Sequence, residues 1–506
     1  MQGLLRTGIA LQAAVSSAAA STILFRGGTI VGWDESANAL DVTRGGSLLI
    51  QDDVIVGIYP AGQEPDNLTR VDSSTEIIDV SDKIITPGFI DTHRHGWQTA
   101  FRTIGSNTSL WEYFGRYGEF AAEGLMSADD VYIGQLAGLY EALNAGVTTT
   151  LDHAHHTWSN ETSEAGLQAS VDSGARVFWA YAFHELQNYT LAHQYGNFRD
   201  LANAAAFEGS PTTLGIAYDA FNTADEAAIQ PIADLIRDFN ISVITTHYVS
   251  GPWGIDNSPK AVHGFGLLNT TIPVVFSHAS FIPTDEYELL RQTDQHVSIT
   301  PESEMHYGHL HPTAHLIMDQ ASLGVDTHFT FSTDILTQAR LWLQRVRAIL
   351  YNTPLEEGRI PVNNPMSANQ AFLLATRNGA RSLRRDDIGV IAPGAKADVV
   401  VWDGTSPALL GWVDPVAAVM LHASVADVEH VLVDGRFKKR DGKLVVRDYR
   451  DVKTRFVKSA RRVQEVMINR PLPQPEGTWM TGAALDRAPE ADVVVGDSTG
   501  YGTVWL

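Results

Sequence analysis

Two histidines one residue apart, His93 and His95, close the run Ile84-Ile85-Thr86-Pro87-Gly88-Phe89-Ile90-Asp91-Thr92-His93-Arg94-His95. The run is apolar and β-branched around a Pro-Gly step, and it reads as a strand. Alternate residues of a strand project to one face, so the two imidazoles project together. Converging neutral imidazoles are half of a tetrahedral or trigonal-bipyramidal metal site. With 18 histidines in the chain, one such pair arises easily by chance, and partners must follow in order for it to matter. Three further residues come directly after apolar runs: His247 after Val-Ile-Thr-Thr, His278 after Val-Val-Phe-Ser, and Asp334 after Phe-Ser-Thr. There is no cysteine, which excludes disulfides, thiolate zinc sites and thiol nucleophiles; His, Asp or Glu must hold any metal.

Other side chains could complete such a site. Glu302 and Glu304 follow Ser298-Ile299-Thr300-Pro301. On an extended segment they would face one side, where a raised pKa at one of them suits general-acid work. The alternative is that one caps the following turn and the other is solvated. Trp97 and Gln98, just past His95, could stack on and hydrogen-bond to a ring-shaped substrate, although a buried core position is the commoner fate of tryptophan. Asp152-His153-Ala154-His155-His156 offers a rival ligand cluster; we read it as pocket wall, with His153 best placed.

The elements that must position these residues come in three groups. Short β-rich runs separated by Gly, Asp and Asn fill residues 22–85. Between residues 85 and 385, strand and helix alternate about eight times at a period of about 30–45 residues, which predicts a (β/α)8 barrel with insertions. The last of these strands is read at Thr327–Ser332, just before Asp334. No Gly-x-Gly-x-x-Gly follows any of the strands, which argues against an open dinucleotide-binding sheet. Residues 386–450 return to short strands that could complete the first sheet; residues 451–506 read as a basic helix and a Pro/Gly-rich tail. In a barrel the C-terminal strand ends share one mouth, and all five candidate residues fall at such ends.

Composition narrows the partners. A formal charge of −23 over 506 residues argues against nucleic acid and against anionic membrane surfaces but does not identify a substrate; a small-molecule substrate and a homo-oligomer stay open. Residues 1–21 carry one early arginine, an Ala/Ser-rich apolar run and small residues at Ala18-Ala19-Ala20, the layout of a secretory signal peptide; an attached N-terminal helix is the rival. Glycosylation sequons stand at Asn67, Asn107, Asn160, Asn188, Asn240 and Asn269, so the chain is expected in the secretory pathway, as an extracellular glycoprotein.

The Pro87–His95 run, His247, His278, Ser332-Thr333-Asp334 and the later Pro393-Gly394-Ala395-Lys396-Ala397-Asp398 together resemble the amidohydrolase superfamily, in its cytosine deaminase-like and triazine hydrolase-like branch. The resemblance spans about residues 22–450. It implies a deformed (β/α)8 TIM barrel over 86–385, with a small β-sandwich built from both chain ends (22–85 and 386–450). It further implies that His93, His95, His247 and Asp334 ligate one divalent metal, Zn2+ with Fe2+ as the alternative, while His278 stands beside the water or substrate. Binuclear relatives carry a bridging lysine after the fourth strand; Thr213–Asp219 has none, which favours one ion. The branch's deaminases carry His-x-x-Glu after the fifth strand, and here Ser250 replaces the glutamate. A serine hydroxyl cannot act as a carboxylic acid, so leaving-group protonation falls to Asp334 or to Glu302/Glu304. The expected activity is hydrolysis of a non-peptide C–N bond in a small cyclic or aromatic amine, amidine or amide. Hydrolytic dehalogenation, which needs no proton donor, and a catalytically silent secreted binding protein are the alternatives.

Overall fold

The computed structural model describes residues 21–63, 65, 71, 74–204, 206–310, 314–446 and 448–488. The signal segment, apart from Ser21, and the Asn67 sequon lie outside the described residues.

One sheet is assembled from both ends of the chain. Its strands are β1 (Thr22–Asp34), β2 (Ala39–Gln51), β3 (Val54–Tyr59), β4 (Glu76–Asp79) and β5 (Ile84–Pro87), and it draws four more from after residue 398. β1 is long and irregular in register around Gly28; its first half pairs with β4 and its second half with β5. Ile23, Phe25, Leu48, Ile50, Val399 and Val401 form the apolar core of this layer.

β5 belongs to that sheet, yet after Gly88 the chain enters a second one. A Cβ at Gly88 would fall 2.0 Å from Thr148 Oγ1, so only glycine lets the strand pass between the layers. The second sheet runs through β6 (Phe89–Arg94), β7 (Val147–Ala154), β8 (Arg176–Phe183), β9 (Thr213–Tyr218), β10 (Ile244–Val249), a short β11 (Ile255–Asp256) paired on β10, β12 (Val274–Ser280), β13 (His296–Ile299) and β14 (Ala321–Leu323). The parallel strands lie side by side in chain order. Beyond β14, Asp326 bridges in parallel to Arg94, and the amides of Val325 and Asp326 donate to the carbonyl of His93 at 3.0 and 2.8 Å. The eighth strand therefore closes onto the first, completing the (β/α)8 barrel. The eighth strand lies earlier than Thr327–Ser332, where we expected it.

The remaining strands of the first sheet are β15 (Val399–Trp402), β16 (Val428–Val433), β17 (Arg436–Arg440) and β18 (Lys443–Leu444), with β15 against β5. Between barrel strands the chain is helical. The longest early crossover is Ala128–Asn144, which starts at a reciprocal cap between Ser127 and Asp130 and lays Ile133, Leu136, Leu139 and Leu143 against the barrel. Arg176, at the start of β8, donates to both carboxylate oxygens of Asp398 at 2.8 and 3.1 Å and also pairs with Asp434, tying barrel to sheet.

Candidate metal centre and active-site cavity

Inside the barrel, below its mouth, Thr92 Oγ1 meets Ser298 Oγ at 2.7 Å and Ser322 Oγ at 2.8 Å. Small, mutually satisfied hydroxyls fill the axis where larger side chains would not fit. One layer up, His93 and His95 project together from the end of β6. Their ring centroids are 4.8 Å apart, and His247 from β10 stands 4.9 Å from His93 and 5.2 Å from His95.

Each of these imidazoles is held by its Nδ1. His95 Nδ1 lies 2.9 Å from the carbonyl of His153, which only accepts, so the proton is on Nδ1 and Nε2 carries the lone pair. His247 Nδ1 lies 2.8 Å from Asp219 Oδ2, and His93 Nδ1 lies 2.8 Å from Ser277 Oγ. All three Nε2 atoms are thereby turned to the centre, the outer-partner arrangement of metal-binding histidines. The fourth donor is Asp326, whose Oδ1 lies 3.3 Å from His93 Nε2 and 3.2 Å from His95 Nε2. One donor atom from each of His93, His95, His247 and Asp326 falls within 4.8 Å of all the others. His93 Nε2 is buried without a hydrogen-bond partner, and His247 Nε2 faces His95 Nε2 at 3.2 Å. Lone pairs directed at one point with too few protons among them suit a cation. Burial works against charge on Asp326, but the His93 and His95 imidazoles that face it, with His278 nearby, hold its carboxyl well below the usual range.

Asp334 does not join this set. It caps the helix Ile335–Glu356, accepting from Leu336 N at 2.9 Å and Thr337 Oγ1 at 2.8 Å. Barrel closure is the reason: the residue beside His93 and His95 must leave the strand that pairs with β6, and that residue is Asp326. A short apolar run in Ala321-Ser322-Leu323-Gly324-Val325-Asp326 was the signal available in the sequence.

Near the end of β12, His278 has φ +71° and is followed by Ala279 at +52°. Consecutive left-handed residues without a glycine carry strain of order 1–3 kcal/mol each and cluster at functional sites. The turn puts the His278 ring 5.1 Å from that of His93, with Nδ1 held at 2.9 Å by Thr300 Oγ1. Burial pushes its pKa down to about 4, so the ring is neutral at pH 7.

The two glutamates behave differently from the expectation. They lie on a helix, Pro301–Tyr307, where residues two apart diverge instead of sharing a side. Glu302 accepts from Gln338 Nε2 at 2.9 Å. Glu304 caps its own helix through Thr300 N at 2.9 Å, 3.8 Å behind His278 Nδ1. Its other oxygen is buried and unpartnered, and burial pushes its pKa up to about 7. Neither glutamate lines the cavity. Trp97 and Gln98 are likewise behind the wall and not on it. Trp97 is fully buried against Phe101 and Trp158 and donates to His155 Nδ1 at 2.9 Å. Gln98 holds the Tyr113 hydroxyl at 2.9 Å. His153 supplies its carbonyl to His95, and its Nε2 lies 3.2 Å from Asp219 Oδ2.

Above the donor set opens a cavity of about 370 Å3, walled near its base by His95, His155, His247, His278 and Asp326. Among the residues that line it are His155, from the run read as pocket wall, and His309, together with Asp219 and Glu119, which the sequence did not mark. His155 stacks on His95 at 3.9 Å, and the Trp97 bond fixes its proton on Nε2, leaving a donor for a ligand. His309 packs edge-on against His278 at 4.8 Å. Asp219, after β9, accepts from His247 N at 2.7 Å and from Thr246 at 3.1 Å; burial opposes its charge, but the His247 and His153 imidazoles hold it well below the carboxylate range. Glu119, which begins the short helix Glu119–Ala122, has its pKa raised by burial and then by Asp219, against the pull of His247 and His95. No lysine or arginine lines the cavity among the described residues. Ser250, in the place of the branch's glutamate, is not a lining residue either.

Residues 84–438 match the Amidohydrolase family. The chain is 28% identical over 414 residues to a 5'-deoxyadenosine deaminase of Methanothermobacter thermautotrophicus, covering 80% of this chain and 91% of that one. It is 25% identical to a 5-methylthioadenosine/S-adenosylhomocysteine deaminase of Dictyoglomus turgidum, covering 80% and 92%. In fold it resembles the zinc complex of an atrazine chlorohydrolase from Arthrobacter aurescens TC1, with a TM-score of 0.73 at 18% identity, over 87% of this chain and 100% of that one. A zinc-bound adenosine deaminase from Xanthomonas campestris gives a TM-score of 0.73 at 17% identity, over 88% and 99%. The chain belongs to the Amidohydrolase family and is a metal-dependent hydrolase of carbon–nitrogen bonds other than peptide bonds.

Proposed function

We propose that this hydrolase removes the exocyclic amine of an uncharged purine-type nucleoside, releasing ammonia. The observation that carries this reading is a cavity with imidazoles and Asp326 at its base and, among the described residues, no lysine or arginine in its lining. Away from the ion site, a phosphate or carboxylate would meet Asp219 and Glu119 with no lysine or arginine beside it among the described residues, so a neutral substrate fits. The deaminase names of the sequence relatives agree in direction.

His93, His95, His247 and Asp326 would hold one divalent ion; three imidazoles and a carboxylate suit Zn2+. When bound, the ion supplies Lewis acidity that makes water nucleophilic near neutral pH. The chain's residues do the rest. Neutral His278 and the Nε2–H of His155 present hydrogen bonds to the ring. Breaking the C–N bond needs a proton at the leaving nitrogen. Glu119 is the lining carboxyl free for this work, because Asp326 faces the ion site and Asp219 is saturated by His247, Thr246 and His153. It takes the part that Ser250 cannot.

Ammonia release from 5'-deoxyadenosine by the zinc-loaded protein tests the reading. His93→Ala is expected to lose ion and turnover together. Glu119→Gln should lower kcat about 100-fold and remove the fall in rate as pH rises through the Glu119 pKa, since only the protonated acid donates. A halide leaving group needs no such proton. Release of chloride from a chlorotriazine, unaffected by Glu119→Gln and without ammonia release from any amine, would favour dehalogenation instead.

A further inference from the structure

The mouth of the cavity is finished by a part of the chain that lies beyond the family match. That match ends at residue 438, whereas Trp479 and Met480 are lining residues. They sit on a tight turn in which Trp479 N donates to Ala483 O and Gly482 N to Trp479 O, both at 2.8 Å. The turn is seated on two barrel loops. Trp479 Nε1 donates to Trp253 O at 2.7 Å and Thr481 Oγ1 to Pro252 O at 2.8 Å, in the loop after β10, the strand that carries His247. The Trp479 ring stacks on Phe114 at 5.5 Å and 29°, and meets Trp253 edge-on at 5.6 Å. Gly254 (φ +66°) leaves the room: a Cβ there would fall 2.2 Å from Thr481 Cγ2. Upstream, Arg470 donates to Ala121 O at 2.7 Å and Arg116 to Met467 O at 3.0 Å, so the chain on both sides of Glu119 is tied to this segment.

Around the turn, Leu110, Phe114, Phe120 and Ile255 are the neighbouring lining residues. The mouth is thus apolar and aromatic, in contrast with the polar base. We propose that Trp479 and Met480 are specificity-determining residues: the C-terminal segment forms the outer wall of the cavity and selects substrates whose group remote from the reacting carbon is apolar. This rests on the nucleoside reading above and adds the feature that distinguishes one nucleoside from another. Planar aromatic walls bury a large apolar area for little lost side-chain freedom, so truncating the tryptophan should weaken binding of an apolar group more than of a polar one.

The test compares wild type, Trp479→Ala and Trp479→Phe on 5'-deoxyadenosine and adenosine, with metal content measured for each. For Trp479→Ala we expect KM for 5'-deoxyadenosine to rise about tenfold with kcat changed less than twofold, a smaller rise for adenosine, and recovery of most of the loss in Trp479→Phe. Equal KM values in wild type and Trp479→Ala, or equal losses on both nucleosides, would overturn the proposal. Calorimetric binding of 5'-deoxyadenosine separates the two readings: no ammonia from wild type, but binding weakened about tenfold by Trp479→Ala, sinks the deaminase reading and leaves the wall standing.

Discussion

Two aspartates eight residues apart have opposite fates, and substitution separates them. Asp326 faces three imidazoles with its acceptors turned to the donor set, so Asp326→Ala should remove the bound ion and with it activity. Asp334 caps a helix through two hydrogen bonds; Asp334→Ala should cost about 1 kcal/mol of stability and keep the ion. Atomic absorption on the two purified variants checks this, and loss of metal from Asp334→Ala alone would reverse the assignment. The same contrast explains the glutamates. Glu302 and Glu304 carry the right chemistry, but the helix Pro301–Tyr307 turns one toward Gln338 and buries the other behind His278.

At the scale of elements, a buried ion pair helps to link barrel and end sheet. Arg176 on β8 forks onto Asp398, which also accepts from Asp434 N at 2.9 Å, and Arg176 and Asp398 are both buried. Removing one partner of a buried pair leaves a charge uncompensated and costs about 3–5 kcal/mol. Arg176→Met should therefore destabilise by about that amount, while the double variant Arg176→Met/Asp398→Leu should lose clearly less than the sum of the single changes. Urea unfolding of the four proteins reads the difference; additive losses would show that the pair contributes no coupling. Elements with strong local signals, such as Ala128–Asn144 with its Ser127 cap, were readable from periodicity alone. β14 was not. It is three residues long, and it is a strand because β13 and β6 flank it.

For the whole molecule, the asparagines of the described sequons, Asn107, Asn160, Asn188, Asn240 and Asn269, are all exposed. That supports our proposal that the chain enters the secretory pathway and carries glycans there. Among the described residues no helix is long and apolar enough to cross a membrane. Expression through a eukaryotic secretory host should give a protein whose mass falls on endoglycosidase treatment; an unchanged mass would remove the proposal. The high acidity is also felt in the cavity, where the carboxylates of Asp219 and Asp326 stand near Glu119, and it is one more reason to expect an uncharged substrate.

The sequence by itself determined the chemistry available and the type of fold. His93, His95, His247 and His278 were legible because each follows an apolar strand directly, and strand ends of a barrel converge. The absence of cysteine and the Ser250 substitution were equally plain. Tertiary structure decided what depends on residues far apart in the chain. Closure of the eighth strand on the first chose Asp326 over Asp334. Packing of the insert after β6 brought Glu119 to the cavity, and the C-terminal segment brought Trp479 to its mouth. No local pattern marks these residues, because their neighbours in space lie tens to hundreds of positions away in sequence.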